Sequence, residues 1–133
     1  MKNEWTFNEN DRNIVENISS LLPGKIFDIH AHIYRVSDLN LQIPSVWSGG
    51  PEEVSVEIWR KYLSQFLGNI RPEGGLFFPV PYPGADLKRE NAYLIAQLKN
   101  ETSSQGLILA SPDDDPEELA EMLEQPGIKG IKP

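Results

Sequence analysis

The chain has 133 residues, which suits one small domain or part of a larger one. Its formal net charge of -8 argues against nucleic acid as a partner, because phosphate binding requires clustered Lys and Arg. It contains no cysteine, which excludes a disulfide framework and a thiolate metal site.

The N-terminal part is predicted to be a helical lead-in, residues 1–24. Asn10 or Asp11 can cap a helix whose apolar positions recur at helical spacing to about Leu22. Pro23 and Gly24 end it. This segment has no apolar core of a signal peptide, and no run in the chain reaches the ~20 apolar residues that span a membrane. We therefore expect a cytoplasmic protein without a membrane partner.

Residues 25–33 alternate between apolar and polar, which is typical of a β-strand. One face would carry Phe27, Ile29, Ala31 and Ile33, and the other Asp28, His30 and His32. A strand rises ~3.3 Å per residue, so the Cα atoms of His30 and His32 should lie roughly 6.6 Å apart on one face. Two imidazoles at that spacing can bind one cation such as Zn²⁺. Asp28 could orient an imidazole or bind a second cation.

The alternative for this strand is a half-exposed surface whose polar residues simply face water. The chain has only two histidines, however, and they stand two residues apart after an aspartate. That arrangement favours the metal interpretation, although short motifs of this kind also occur by chance.

A connection at 34–50 follows, and it is longer than the ~12–15 residues of ordinary loops. Such segments are often lids or binding loops, so Tyr34 and Trp47 either line a pocket or pack the loop against the body. Pro51 and the two glutamates after it predict the start of a helix that ends at Gly68.

The second half of the chain alternates buried strands with helices. Strands are predicted at 76–80, 106–110 and 128–133, with helices that begin at the caps Asp86 and Asp115. Pro116 and Glu118 add a capping-box pattern to the second of these helices. Continuous apolar runs are typical of strands covered on both faces, as in parallel sheets.

The order of elements predicts an α/β fold with a parallel sheet, either doubly wound or a (β/α)₈ barrel. Ligand sites of both architectures lie at the carboxyl ends of the strands, where His30 and His32 stand. No Gly-rich phosphate motif follows the first strand, which weakens a dinucleotide-binding interpretation.

Two segments resemble a known family. Residues 26–33, IFDIHAHI, resemble the first-strand motif of the amidohydrolase superfamily, the metal-dependent TIM-barrel hydrolases. Residues 127–133, GIKGIKP, are similar to the fourth strand of its amidohydrolase-2 branch. TatD-like nucleases and PHP-type phosphoesterases carry similar first-strand motifs. The resemblance implies that residues 25–133 form the first four βα units, the N-terminal half of a (β/α)₈ TIM barrel.

The resemblance also implies an activity. His30, His32 and Asp28 would hold a divalent cation, Zn²⁺, which activates water for hydrolysis of a C–N or C–O bond in a small molecule. Decarboxylation is known in the same branch. Some binuclear members use a carboxylated fourth-strand lysine to bridge two metals. Since Ile128, Gly130 and Lys132 should share a face, Lys132 is the catalytic candidate, and the alternative for it is an ordinary surface lysine.

Members of the family take further histidines from the fifth and sixth strands and an aspartate from the eighth, and these have no counterpart here. We therefore expect the isolated chain to be inactive and its open barrel edge to pair with a second copy of the chain. The alternatives are a non-catalytic partial barrel or interaction module, and a phosphoesterase of the TatD or PHP type.

Overall fold

The computed structural model describes residues 4–68 and 70–133. The strands are β1 (Lys25–His32), β2 (Tyr34–Arg35), β3 (Glu53–Val54), β4 (Arg71–Phe78), β5 (Gln105–Leu109) and β6 (Ile128–Lys132). The α-helices are α1 (Glu9–Ile18), α2 (Val56–Leu67), α3 (Leu87–Leu98) and α4 (Pro116–Leu123). Short 3₁₀ turns lie at Val36–Asp38 and Val46–Ser48.

Four strands form a parallel sheet in the order β1-β4-β5-β6, so consecutive strands of the sheet are neighbours in space. The crossovers between them contain α2, α3 and α4 in turn. The predicted α/β class with a parallel sheet is therefore confirmed. The strand order runs in one direction across the sheet, without the reversal of a doubly wound sheet.

One face of this sheet is closed by the helices. The cluster of buried side chains contains Ala31, Ile33, Val56, Trp59, Phe77, Tyr93, Leu94, Leu98, Ile108 and Ile128. Leu119 and Met122 of α4 pack against the same cluster, so all three crossover helices cover a common face. Gly106 lets α3 approach β5 closely, since a Cβ there would lie 2.5 Å from Cδ1 of Leu98. We call this side of the sheet the helix face.

The connection after β1 is more ordered than a loop. β2 and β3 form a two-stranded antiparallel ribbon, in which Tyr34 pairs with Val54. The prediction that Pro51 and its glutamates open a helix is wrong, because Glu53 and Val54 belong to this ribbon. α2 begins instead at Val56, after Ser55, whose hydroxyl accepts a hydrogen bond from the Ile58 N–H at 3.1 Å.

Most other boundaries agree with the predictions to within a few residues, but β4 begins at Arg71, well before the predicted start at residue 76. Asp86 and Asp115 cap α3 and α4 as expected. Glu118 does not form the predicted capping box, because its carboxylate pairs with Lys88 at 2.7 Å. The Asp115 carboxylate accepts a hydrogen bond from the Glu117 N–H. The lead-in helix begins earlier than predicted, because the side chain of Asn8 caps it.

The described helices include none that is both long enough and apolar enough to cross a membrane.

Candidate functional site

The candidate site lies around Phe78, the last residue of β4, on the face opposite the helix face. The preceding Phe77 points into the helix-face core and meets the Trp59 ring at 4.9 Å between centroids. Phe78 contacts both histidine rings edge-on, each at 4.7 Å between centroids. We call His30, His32, Phe78 and Lys132 the Phe78 cluster.

Lys132 joins this cluster from the last strand. Its Nζ lies 3.6 Å from the centre of the Phe78 ring, which is a cation–π contact. The structure thus brings Lys132 to the two histidines from a hundred residues further along the chain. The half-buried ammonium group places a positive charge at the carboxyl ends of the strands, where ligand sites of parallel sheets lie.

The predicted face of β6 needs a correction. A register shift pairs Gly106 with Ile128 but Leu107 with Gly130, so β6 has one extra residue at this point. Ile128 therefore points into the helix-face core, while Gly130 and Lys132 share the opposite face. The expectation that all three share one face is wrong for Ile128, and it holds for Gly130 and Lys132.

His32 is held in one orientation by the backbone. Its Nδ1 lies 3.0 Å from the carbonyl oxygen of Pro79. Because a carbonyl can only accept, Nδ1 must carry the proton, which leaves the Nε2 lone pair free in the neutral ring. A neutral imidazole with one nitrogen fixed in this way is the form that binds metals.

Burial also favours the neutral form of His32. It lowers the pKa of the imidazole below its ordinary value, against the hydrogen bond with Pro79, and the charges of Lys132 and His30 lower it further. His30 is more exposed, and its ring centroid lies 5.3 Å from that of His32. The two imidazoles are therefore neighbours, as the sequence predicts.

Asp28 does not share their face. A register shift between Asp28 and Ala31 interrupts the alternation of β1. The Asp28 carboxylate turns to the helix face, where Oδ2 accepts a hydrogen bond from the Trp59 indole N–H at 3.2 Å. Its Oδ1 accepts from the backbone N–H of His30 at 3.0 Å. Asp28 thus supports the backbone before His30, and the arrangement does not supply it as a third ligand.

Within residues 4–68 and 70–133, no three His, Asp or Glu side chains come together in a way that could hold a metal ion. The site contains two imidazoles and one ammonium group. Catalytic zinc sites have three protein ligands and an open position. The imidazoles of His30 and His32 could therefore supply two of the three protein ligands of such a site.

The loop at 36–52 supplies a wall of the site. Trp47, in the turn Val46–Ser48, meets the ring of His32 at 5.5 Å and that of Tyr34 at 5.4 Å between centroids. Ser45 and Ser48 fix this turn by reciprocal hydrogen bonds. The Trp47 ring thus packs the loop against Tyr34 and also borders His32. The two interpretations of Trp47, packing of the loop and lining of a site, are therefore compatible.

The sequence did not single out Phe78 as a site residue, nor two polar residues of α3 that have buried contacts. Glu90, in the first turn of α3, is only 1% exposed, and its Oε2 accepts from the Val80 N–H at 3.4 Å. Burial raises its pKa to about 7. Asn91 bonds both the N–H and the carbonyl of Leu109, at 2.9 and 2.8 Å. Both look like ordinary polar residues of a helix start, so local sequence carries no signal for these contacts.

A cavity of about 870 Å³ lies elsewhere, between the β2–β3 ribbon and α2. Its lining includes Arg35, Glu53 and Lys61 but no member of the Phe78 cluster.

No protein-family model, no curated protein and no solved structure matches this chain. The resemblance to the amidohydrolases therefore depends on the motif residues alone.

Proposed function

We propose that the chain is the N-terminal half of a (β/α)₈ barrel of the amidohydrolase type. In this proposal it belongs to a metal-dependent hydrolase that cleaves a C–N or C–O bond of a small molecule. The observation that carries the proposal is the Phe78 cluster, in which two imidazoles and a lysine meet at the carboxyl ends of parallel strands.

The barrel part of the proposal is supported by the arrangement of the sheet. Sequential strand order with the crossover helices on one face is the arrangement found in a (β/α)₈ barrel, whereas a doubly wound sheet has helices on both faces. The edge strand β1 also exposes large apolar side chains, 47% of Phe27 and 76% of Ile29. Apolar surface of this kind is typical of a face that another part of a protein covers.

The metal part of the proposal assigns two ligands, His30 and His32. His32 meets the chemical requirement because its Nδ1 proton is committed to Pro79, which leaves Nε2 available. A bound divalent cation, Zn²⁺ in this proposal, would lower the pKa of a water ligand and polarise a substrate carbonyl. The remaining ligands would come from residues that complete the barrel.

Lys132 is the catalytic candidate of the proposal. Its ammonium group, stacked on Phe78, offers a positive charge for a substrate oxygen that becomes negative during hydrolysis. The family resemblance also allows it to serve as a carboxylated metal bridge. Both roles require the lysine to reach the histidines, and the position of Nζ over the ring that both imidazoles contact is compatible with either.

Metal binding tests the proposal directly. We expect Zn²⁺ to bind the chain weakly, with loss of binding when His30 and His32 are both replaced by Ala. Isothermal titration measures the affinity, and Co²⁺ absorption reports nitrogen ligands. The matched control is Trp47→Phe, which changes a neighbour of His32 without removing an imidazole or Lys132. Equal Zn²⁺ binding by the double variant would contradict the assignment and favour a non-catalytic module.

A further inference from the structure

One peptide group connects His32 to a buried carboxyl group. The carbonyl of Pro79 accepts the hydrogen bond from Nδ1 of His32 at 3.0 Å. The N–H of the same peptide, which belongs to Val80, donates to Oε2 of Glu90 at 3.4 Å. A peptide group is planar and rigid, so the orientation that satisfies Glu90 also aims the carbonyl at His32.

The N–H of Val80 depends on this carboxyl group. Val80 is only 1% exposed, so water does not replace a missing acceptor, and an unpaired buried N–H costs about 1–3 kcal/mol. Among the described residues, no backbone carbonyl accepts a hydrogen bond from this N–H. Glu90 is therefore the group that fixes the peptide after β4.

A purely structural role does not account for Glu90, because burying its carboxyl group lowers the stability of the fold. Its Oε1 has no hydrogen-bond partner among the described residues. The backbone N–H of Arg35 is a second hydrogen-bond donor to this carboxyl group, while the Arg35 guanidinium is paired with Asp38 at 2.7 Å. A buried carboxyl group with an unsatisfied oxygen destabilises a fold, and an apolar side chain would fill the space at lower cost. The hydrogen bonds with the backbone of Val80 and Arg35 are what an apolar side chain lacks.

We infer that Glu90 is a positioning residue for His32, which acts through the Pro79–Val80 peptide to hold the imidazole in its Nδ1–H tautomer. Hydrogen bonds in series polarise one another, so the acceptor at Val80 strengthens the carbonyl at Pro79 as an acceptor for His32. The ligand role of the freed Nε2 rests on the proposed function, whereas the tautomer itself does not.

The tautomer can be measured in the metal-free protein by long-range ¹H–¹⁵N correlation of the imidazole nitrogens. The chain has two histidines, so a His30→Gln variant assigns the signals. We expect wild-type His32 to be in the Nδ1–H form. In Glu90→Met, which removes the acceptor, the Nε2–H fraction should rise several-fold. Glu90→Gln keeps an acceptor oxygen and should restore the Nδ1–H form.

Ser104→Ala is the matched control, because it removes a buried acceptor from the Gly75 N–H, remote from this peptide. It should leave the His32 signals unchanged. If Glu90→Met does not fold, Glu90→Gln provides the test, since its weaker acceptor should shift the Val80 amide and the His32 Nδ1 signals together. A folded Glu90→Met with the wild-type tautomer, or a Val80 shift in Glu90→Gln without a His32 shift, would overturn the inference.

A Zn²⁺ titration of the same variants separates this inference from the proposed function. Loss of a group that orients a ligand costs about 10- to 100-fold in metal affinity, so we expect Glu90→Met to bind Zn²⁺ at least 10-fold more weakly. If wild type binds no Zn²⁺ and the tautomer still changes in Glu90→Met, the proposed function fails and the positioning role stands. If wild type binds Zn²⁺ and the tautomer is insensitive to Glu90, the positioning role fails alone.

Discussion

The two faces of the sheet give very different surroundings to Phe77 and Phe78, which are consecutive residues of β4. Phe77 points to the helix face and is fully buried among apolar side chains. Phe78 points to the other face, where it is covered by two imidazoles and a lysine. The helix face is packed like a protein core. On the opposite face, the Phe78 ring contacts two imidazoles and an ammonium group. The side chains of the core and those of the proposed site thus lie on opposite sides of the same strand.

The largest effect should come from the packed face. Phe77→Ala removes a ring that is 0% exposed and rests on Trp59, which costs about 3–5 kcal/mol of the free energy of unfolding. Phe78→Ala is the matched variant. It should cost roughly half as much, because its polar neighbours regain water when the ring is lost. Urea denaturation measures both, and equal costs would show that the two faces are packed alike.

The second prediction concerns pH and Glu90. Its pKa is raised from 4.5 to about 7 in the folded chain by burial. The folded state therefore holds this proton in a pH range where the unfolded state has lost it, so stability falls as pH rises from about 4.5 to 7.

Glu90→Gln removes this dependence. The difference in unfolding free energy between variant and wild type should grow by roughly 3 kcal/mol in favour of the variant between pH 4 and pH 8. The contributions of the other carboxyl groups to the unfolding free energy are the same in both proteins, so they cancel in this difference. Denaturation of both proteins across that pH range is the measurement, and parallel curves would mean that Glu90 ionises normally in the fold.

The sequence predicts the features that neighbouring residues determine. Asp86 and Asp115 cap their helices through backbone N–H groups two or three residues away, and His30 and His32 are neighbours because they share one strand. The alternation of strands and helices likewise follows from local apolar patterns. These parts of the fold and half of the candidate site could therefore be read from short windows of sequence.

The remaining features depend on contacts between distant segments. The register shifts that turn Asp28 and Ile128 to the helix face arise from how whole strands pair, and no local pattern encodes them. The ribbon of β2 and β3 joins pairs of residues separated by a long loop. Glu90 resembles any charged residue of a first helical turn until the fold places Val80 beside it.

The third prediction concerns the uncovered side of β1. Ile29 is 76% exposed, so Ile29→Lys should change the free energy of unfolding by no more than about 0.5 kcal/mol. The same change should reduce self-association and binding of a hydrophobic dye, because it removes apolar surface from an edge strand and adds a charge that blocks pairing. Sedimentation and dye fluorescence measure this. Lys substitution at Val46, which is 82% exposed in the loop, is the control.

The smallest expected effect is in catalysis, where we expect no measurable turnover. The Phe78 cluster supplies two imidazoles, and the Asp28 carboxylate is engaged by Trp59, so a cation there would lack the third protein ligand of a catalytic site. The test is hydrolysis of ester, amide and lactone substrates by the 133-residue chain with added Zn²⁺ or Mn²⁺. Metal-dependent turnover that His30→Ala abolishes would show that the chain already holds a complete site, and that Asp28 or another group leaves its present partner to complete it. Turnover that survives His30→Ala would move the chemistry away from the Phe78 cluster altogether.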